Sequence, residues 1–190
     1  MKIPFFKSKV PATTFNDLES LLGTNEIEKL KQGKQQGVDF VVNDSYDHTN
    51  ILQYYIKNHH SFKYDKWELL TFFVSCGIDI NHKANKRADE NSALHLSVYR
   101  RDLDLVRIIR ELDAEIDIRD KYGNTPLWRA IMNYRGETDL KEIIVFLIQH
   151  GASLDKKNFH DISPRDHVLT IGGGIDAGYN KKEWDLRSLL

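Results

Sequence analysis

One stretch, Asp120-Lys121-Tyr122-Gly123-Asn124-Thr125-Pro126-Leu127-Trp128-Arg129-Ala130, has counterparts along the whole chain, and that recurrence limits the fold more than any other feature. After it come an apolar helical run from Leu140 to Gln149 and the closing segment His150-Gly151-Ala152-Ser153-Leu154. About 33 residues earlier, Glu90 to Ser97 lies under Gly123 to Ala130. A second helical run, Asp104 to Leu112, and a close at Asp113-Ala114-Glu115-Ile116 complete that copy. Further back, Asp44 to Ile51 aligns with Asp120 to Leu127, which sets Asp47 under the turn glycine Gly123; the close is Cys76-Gly77-Ile78-Asp79. Asn158 to Pro164 falls on the same frame, and at the front Phe15 to Leu22 and Asn25 to Gln36 precede Gly37-Val38-Asp39.

Each piece has a local cause. Thr125-Pro126 starts a helix, because threonine accepts from free N–H groups and proline is preset for the first turn; Ser163-Pro164 repeats the device. Gly77 and Gly151 follow helical runs and can end them in the left-handed region. Leu105, Ile108 and Leu112 form an apolar face at helical spacing, as do Ile143, Ile144, Phe146 and Leu147 one copy later. Short helix pairs with one apolar face cannot stand alone, so they are predicted to stack and share a core. The predicted fold class is all-α: a solenoid of about five helix-turn-helix units with irregular ends.

The chain resembles the ankyrin-repeat family, whose unit runs Asp-x-x-Gly-x-Thr-Pro-Leu-His-x-Ala, a second helix, then Gly-Ala-x-apolar-Asn/Asp. The unit from Asp120 carries most of it, with Trp128 at the histidine place; Leu94-His95 matches Leu-His. The resemblance implies an N-terminal extension over 1–11 and a repeat domain over 12–190, with units at about 12–43, 44–86, 87–119, 120–157 and 158–190. It also implies a concave binding face made of the hairpin tips and first helices. By frame this picks Tyr46, His48, Asp89, Asn91, Tyr122, Asn124, His160 and Ile162 at the tips, and Tyr99, Arg100, Met132 and Asn133 at the helix ends. Asp44, Asp47, Asp117, Asp120 and Asp161 add an acidic component to a rim of mixed sign. His95 is expected to hydrogen-bond between units, and Trp128 to pack between them. Extra residues around Asn58 to Lys66 and Tyr134 to Thr138 are expected on one edge, as candidates for partner contact.

Other chemistry finds little support. The 8 histidines include no His-Glu-x-x-His pair, and with Cys 1 (Cys76) neither an intrachain disulfide nor a cysteine-rich zinc site can form. Cys76 sits at a helix end whose dipole disfavours a thiolate. Gly172 to Gly178 lacks a P-loop ending and follows no strand; it reads as the link between two closing helices, the second over Lys181 to Leu190. His59-His60 is expected on a solvated loop. Lys+Arg 27 against Asp+Glu 28 leaves a net charge of −1, so no global field steers the chain toward nucleic acid. The apolar run at Ile3 to Phe6 is too short for a signal peptide, and no stretch is long enough to span a membrane.

The expected function is therefore a non-catalytic protein-binding module in the cytoplasm, monomeric when free, with no catalytic residue, cofactor, metal, nucleic acid or membrane partner. Some small bacterial ankyrin proteins are immunity proteins that cover a toxin's active site, and the resemblance extends to that role. The alternative is a regulatory or scaffold protein, or a host-directed effector, with no toxin partner.

Overall fold

The computed structural model describes residues 13–173 and Leu186. Nine α-helices occur among the described residues: α1 (Phe15–Leu22), α2 (Ile27–Gln35), α3 (Ile51–Asn58), α4 (Lys66–Ser75), α5 (Ala93–Tyr99), α6 (Leu103–Glu111), α7 (Pro126–Asn133), α8 (Thr138–Gln149) and α9 (Pro164–Gly173). The only extended pairing in this region is the isolated bridge between Asn43 and Asn50. The first helices α3, α5, α7 and α9 pack side by side, and α4, α6 and α8 form a second row behind them.

Helix starts follow from side-chain capping. Thr14, Asn50, Ser92 and Thr125 each accept from the backbone N–H three residues on, and Ser163 does so from Asp166. Each such bond satisfies a donor that a helix leaves orphaned. Between the two rows, Leu52, Leu70, Leu94, Val106, Leu127 and Ile144 are buried in a continuous core. Burial of this apolar surface, shared across neighbours, is what holds such short helices in place.

Hairpin tips precede the first helices. Two positions before each cap, at His48, Glu90, Gly123 and Asp161, φ is positive. The turn residue of the second unit is thus His48 and not Asp47: this tip holds one residue more between Asp44 and its cap Asn50 than lies between Asp120 and Thr125. Successive tips are joined by backbone bonds, Asn85 N–H to Asp47 O (2.8 Å), Lys121 N–H to Asp89 O (3.0 Å) and Phe159 N–H to Tyr122 O (3.0 Å). Asp113, at the place of a closing glycine, is likewise left-handed, with φ 64°.

The first insertion folds back on the stack. His59 is buried in a 3-10 turn, contrary to the expected solvated loop, with Nδ1 3.0 Å from Ile56 O and Nε2 3.1 Å from Asp102 Oδ2. Tyr64 donates to Leu22 O at 2.8 Å, and Phe62 packs on Tyr55. These ties direct much of the loop inward rather than toward a partner. Gly172 and Gly173 close α9; the rest of the glycine-rich segment and the expected helix over Lys181 to Leu190 lie outside the described residues.

Candidate binding face

The side chain at the third position of each first helix does two jobs. Gln53 and His95 accept at their own caps, closing capping boxes with Asn50 and Ser92, and also reach the next unit. Gln53 Nε2 donates to His82 O and Asn91 O, both at 2.9 Å; His95 Nε2 donates to Asn124 O at 3.0 Å. A carbonyl can only accept, so His95 carries its proton on Nε2, and Nδ1 faces the Ser92 hydroxyl at 3.0 Å. Burial pushes the His95 pKa down to about 4. At the equivalent place Trp128 stacks on His167 with ring centroids 5.6 Å apart, and its Nε1 is buried with no partner. The packing expected of Trp128 is present.

Asp120 organises its tip from the inside. It is buried, accepts the N–H groups of Tyr122 (2.8 Å) and Asn124 (2.9 Å), and pairs with Arg129 Nη2 at 2.6 Å. It therefore does not belong to the acidic rim that the sequence suggested. Asn124 is buried too, donating to Asp120 Oδ2 and accepting from Asn158 Nδ2 at 2.8 Å, so it joins units and is not offered to a partner.

Most of the remaining tip and helix-end residues reach the surface. Tyr46 is 67% exposed with the Arg87 guanidinium 4.6 Å from its ring centre, and Tyr122 is 41% exposed with Lys121 and Arg129 over its ring. His48 is exposed, and its carbonyl lies 2.6 Å from His82 Nε2. His160 and Ile162 are exposed at the last tip, where the Asn158 carboxamide oxygen accepts both of their N–H groups. Met132 is exposed at the end of α7.

Asp89, Asn91, Tyr99, Arg100 and Asn133 come together. With Lys57 and Arg129 they line a groove of about 390 Å³ that runs over α3, α5 and α7, floored in part by His95 and Leu96. Sequence reasoning missed Lys57 and Arg129; the frame of the helix ends held the signal, since Lys57 occupies on α3 the place of Tyr99 on α5 and Met132 on α7. Three of the charges are neutralised on the spot. Lys57 pairs with Asp47 at 3.0 Å, Asp89 with Lys121 at 2.5 Å, and Arg129 with Asp120.

The repeat frame, the capped first helices and the inter-unit bonds have a counterpart among known protein families. The family model for ankyrin repeats (3 copies) matches residues 48–158. This chain belongs to the ankyrin-repeat family. Serine/threonine-protein kinase 12 of Arabidopsis thaliana is a similar protein, 30% identical over 112 residues, which make up 59% of this chain and 21% of the kinase. The chain thus aligns with only about a fifth of that kinase's length. Ankyrin repeats are a non-catalytic scaffold for protein interaction, and here their first-helix face carries the groove. Among the described residues no three His, Cys, Asp or Glu side chains gather in a metal-binding group, and no helix is long and apolar enough to cross a membrane. Cys76 is half-buried, and burial raises its pKa away from thiolate reactivity.

Proposed function

We propose that the groove over α3, α5 and α7 grips a partner protein, and that the chain acts by covering the partner's surface. The observation that carries this is the convergence of exposed Tyr99 and Asn133 and half-buried Arg100 with the tip residues Asp89 and Asn91 on one groove. Exposed tyrosine contributes little to folding and much to binding when a partner desolvates it. The more specific reading is immunity: in the cytoplasm, a cognate toxin domain docks in the groove and its active site is blocked. A non-catalytic binder changes its partner most simply by occlusion, and a rigid stack suits that task because few groups need ordering on contact.

Co-expression of the chain with a candidate toxin from the same genome tests this. The account expects an equimolar complex, lost toxin activity, and recovery of that activity with Tyr99→Ala. A toxin that stays active in a stable complex would rule out immunity. The likeness to a kinase favours a second reading, a regulatory or scaffold module that uses the same groove. That reading expects binding that leaves the partner's active site open.

A further inference from the structure

Resting on the groove reading above, we infer that the partner segment held there is acidic, and that Arg100 is the socket for one of its carboxylates. Arg100 differs from every other charge lining the groove. Lys57, Asp89 and Arg129 each meet an opposite charge within the protein. Arg100, half-buried at the end of α5, has no acidic partner among the described residues, and its Nε is buried with no hydrogen-bond partner. A guanidinium offers five N–H donors and cannot shed its charge, so leaving it partly desolvated and unpaired is unfavourable until an acceptor arrives. A carboxylate is the acceptor whose geometry matches it, by two parallel bonds.

The surroundings agree. Asn58, Arg100 and Asn133 occupy equivalent places on α3, α5 and α7, eight residues after the caps Asn50, Ser92 and Thr125. The two amides are held in the same way, each donating to the carbonyl four residues earlier, Tyr54 O at 3.0 Å and Arg129 O at 2.8 Å. The row is therefore amide, guanidinium, amide, with the cation in the middle. Tyr99, 76% exposed, stands beside it as an apolar platform. Past the end of α7, charges of both signs meet. Glu137 accepts from the Arg101 side chain at 2.9 Å and from the Arg135 backbone, while the Arg135 guanidinium donates to the carbonyls of Met132 and Tyr134. The Arg101 guanidinium thus meets a carboxylate, and the Arg135 guanidinium meets backbone carbonyls. With a net charge of −1 for the chain and the other groove cations already paired, this is a local socket and not a phosphate track. A short extended stretch of protein with an aspartate or glutamate next to an apolar residue fits it.

The test is selection of binders to the full chain from a random-sequence peptide display library, followed by affinity measurements on the selected peptides. Arg100→Gln leaves no native bond broken, so unfolding curves matching the parent are expected. The selected peptides should be rich in Asp and Glu and weaken about tenfold or more with Arg100→Gln, less with Arg100→Lys. They should also weaken as salt rises from about 50 to about 300 mM. Peptides that need Tyr99 but ignore Arg100→Gln would overturn the acidic socket and leave the groove reading intact. A selection yielding no binder sensitive to Tyr99→Ala or Arg100→Gln would overturn both. Displacement of the peptides by a single-stranded oligonucleotide, lost with Arg100→Gln, would reassign the socket to phosphate and overturn the protein partner.

Discussion

At the third position of the first helices, the α3–α5 and α5–α7 junctions are closed by hydrogen bonds, whereas at the α7–α9 junction that position packs. The hydrogen bonds of the α7–α9 junction lie at the tips, Asn158 to Asn124 and Phe159 to Tyr122. Gln53 and His95 each reach from the first turn of one helix to a carbonyl just ahead of the next helix. Trp128 stands at the same place and instead stacks on His167, with its Nε1 unpartnered. The tips follow suit. His48 and Glu90 carry side chains at the positive-φ position, but a Cβ on Gly123 would lie 2.8 Å from both the Phe159 ring and the Phe159 backbone nitrogen. One frame therefore accepts two physical solutions. Polar latches fix spacing and direction between units, and aromatic packing covers more area with less directional control.

Breaking a latch should have the largest effect. His95→Ala removes the bond to Asn124 O, opens the capping box at Ser92 and leaves a cavity, at a cost of about 3 kcal/mol in urea unfolding. A loss below about 1 kcal/mol would mean that the latch is ornamental. Acid should act on the same bond without mutation. The folded His95 pKa of about 4 lies below the unfolded value, so the unfolded chain binds the extra proton between these pH values. The contribution is fully present above about pH 6.5, is lost as pH falls toward about 4, and changes no further below that. In His95→Gln, where a neutral donor replaces the ring, this part of the acid sensitivity should vanish.

At the packed junction, Gly123→Ala should destabilise by about 2 kcal/mol, through its left-handed backbone and the clash with Phe159. The equivalent Glu90→Gly should change stability by less than about 1 kcal/mol, since a side chain there already fits. The smallest effect is expected from converting one junction type to the other. Trp128→His loses the stack on His167 but supplies a donor in the place from which His95 acts, for a net change under about 1 kcal/mol. Trp128→Ala gains nothing and should lose about 3 kcal/mol.

Much of this was legible in the residues, and the exceptions have physical reasons. Capping residues, apolar spacing and the closing glycines Gly77 and Gly151 act over a few residues, so a linear reading finds the helices. The hairpin tips differ in length, and a one-residue slip put Asp47 where His48 turns the chain. The tip positions Asp120 and Asn124 were expected to be exposed because tips usually are; their burial depends on Arg129 and Asn158, contributed by other elements. His59 was placed in a loop because its partner Asp102 lies far along the chain. Gln53 could have been found, since Asn50-x-x-Gln53 has the spacing of a capping box. That Arg100 has no acidic partner could not, because pairing is a property of space.

Amide hydrogen exchange of the chain, free and bound to its partner captured from the native cell, tests the central claim most directly. The account predicts slowed exchange confined to the tips around Asp89 to Asn91 and the ends of α5 and α7, from Leu96 to Arg101 and Arg129 to Arg135. Slowing on α4, α6 and α8, with those ends unchanged, would place the partner on the opposite side and contradict it.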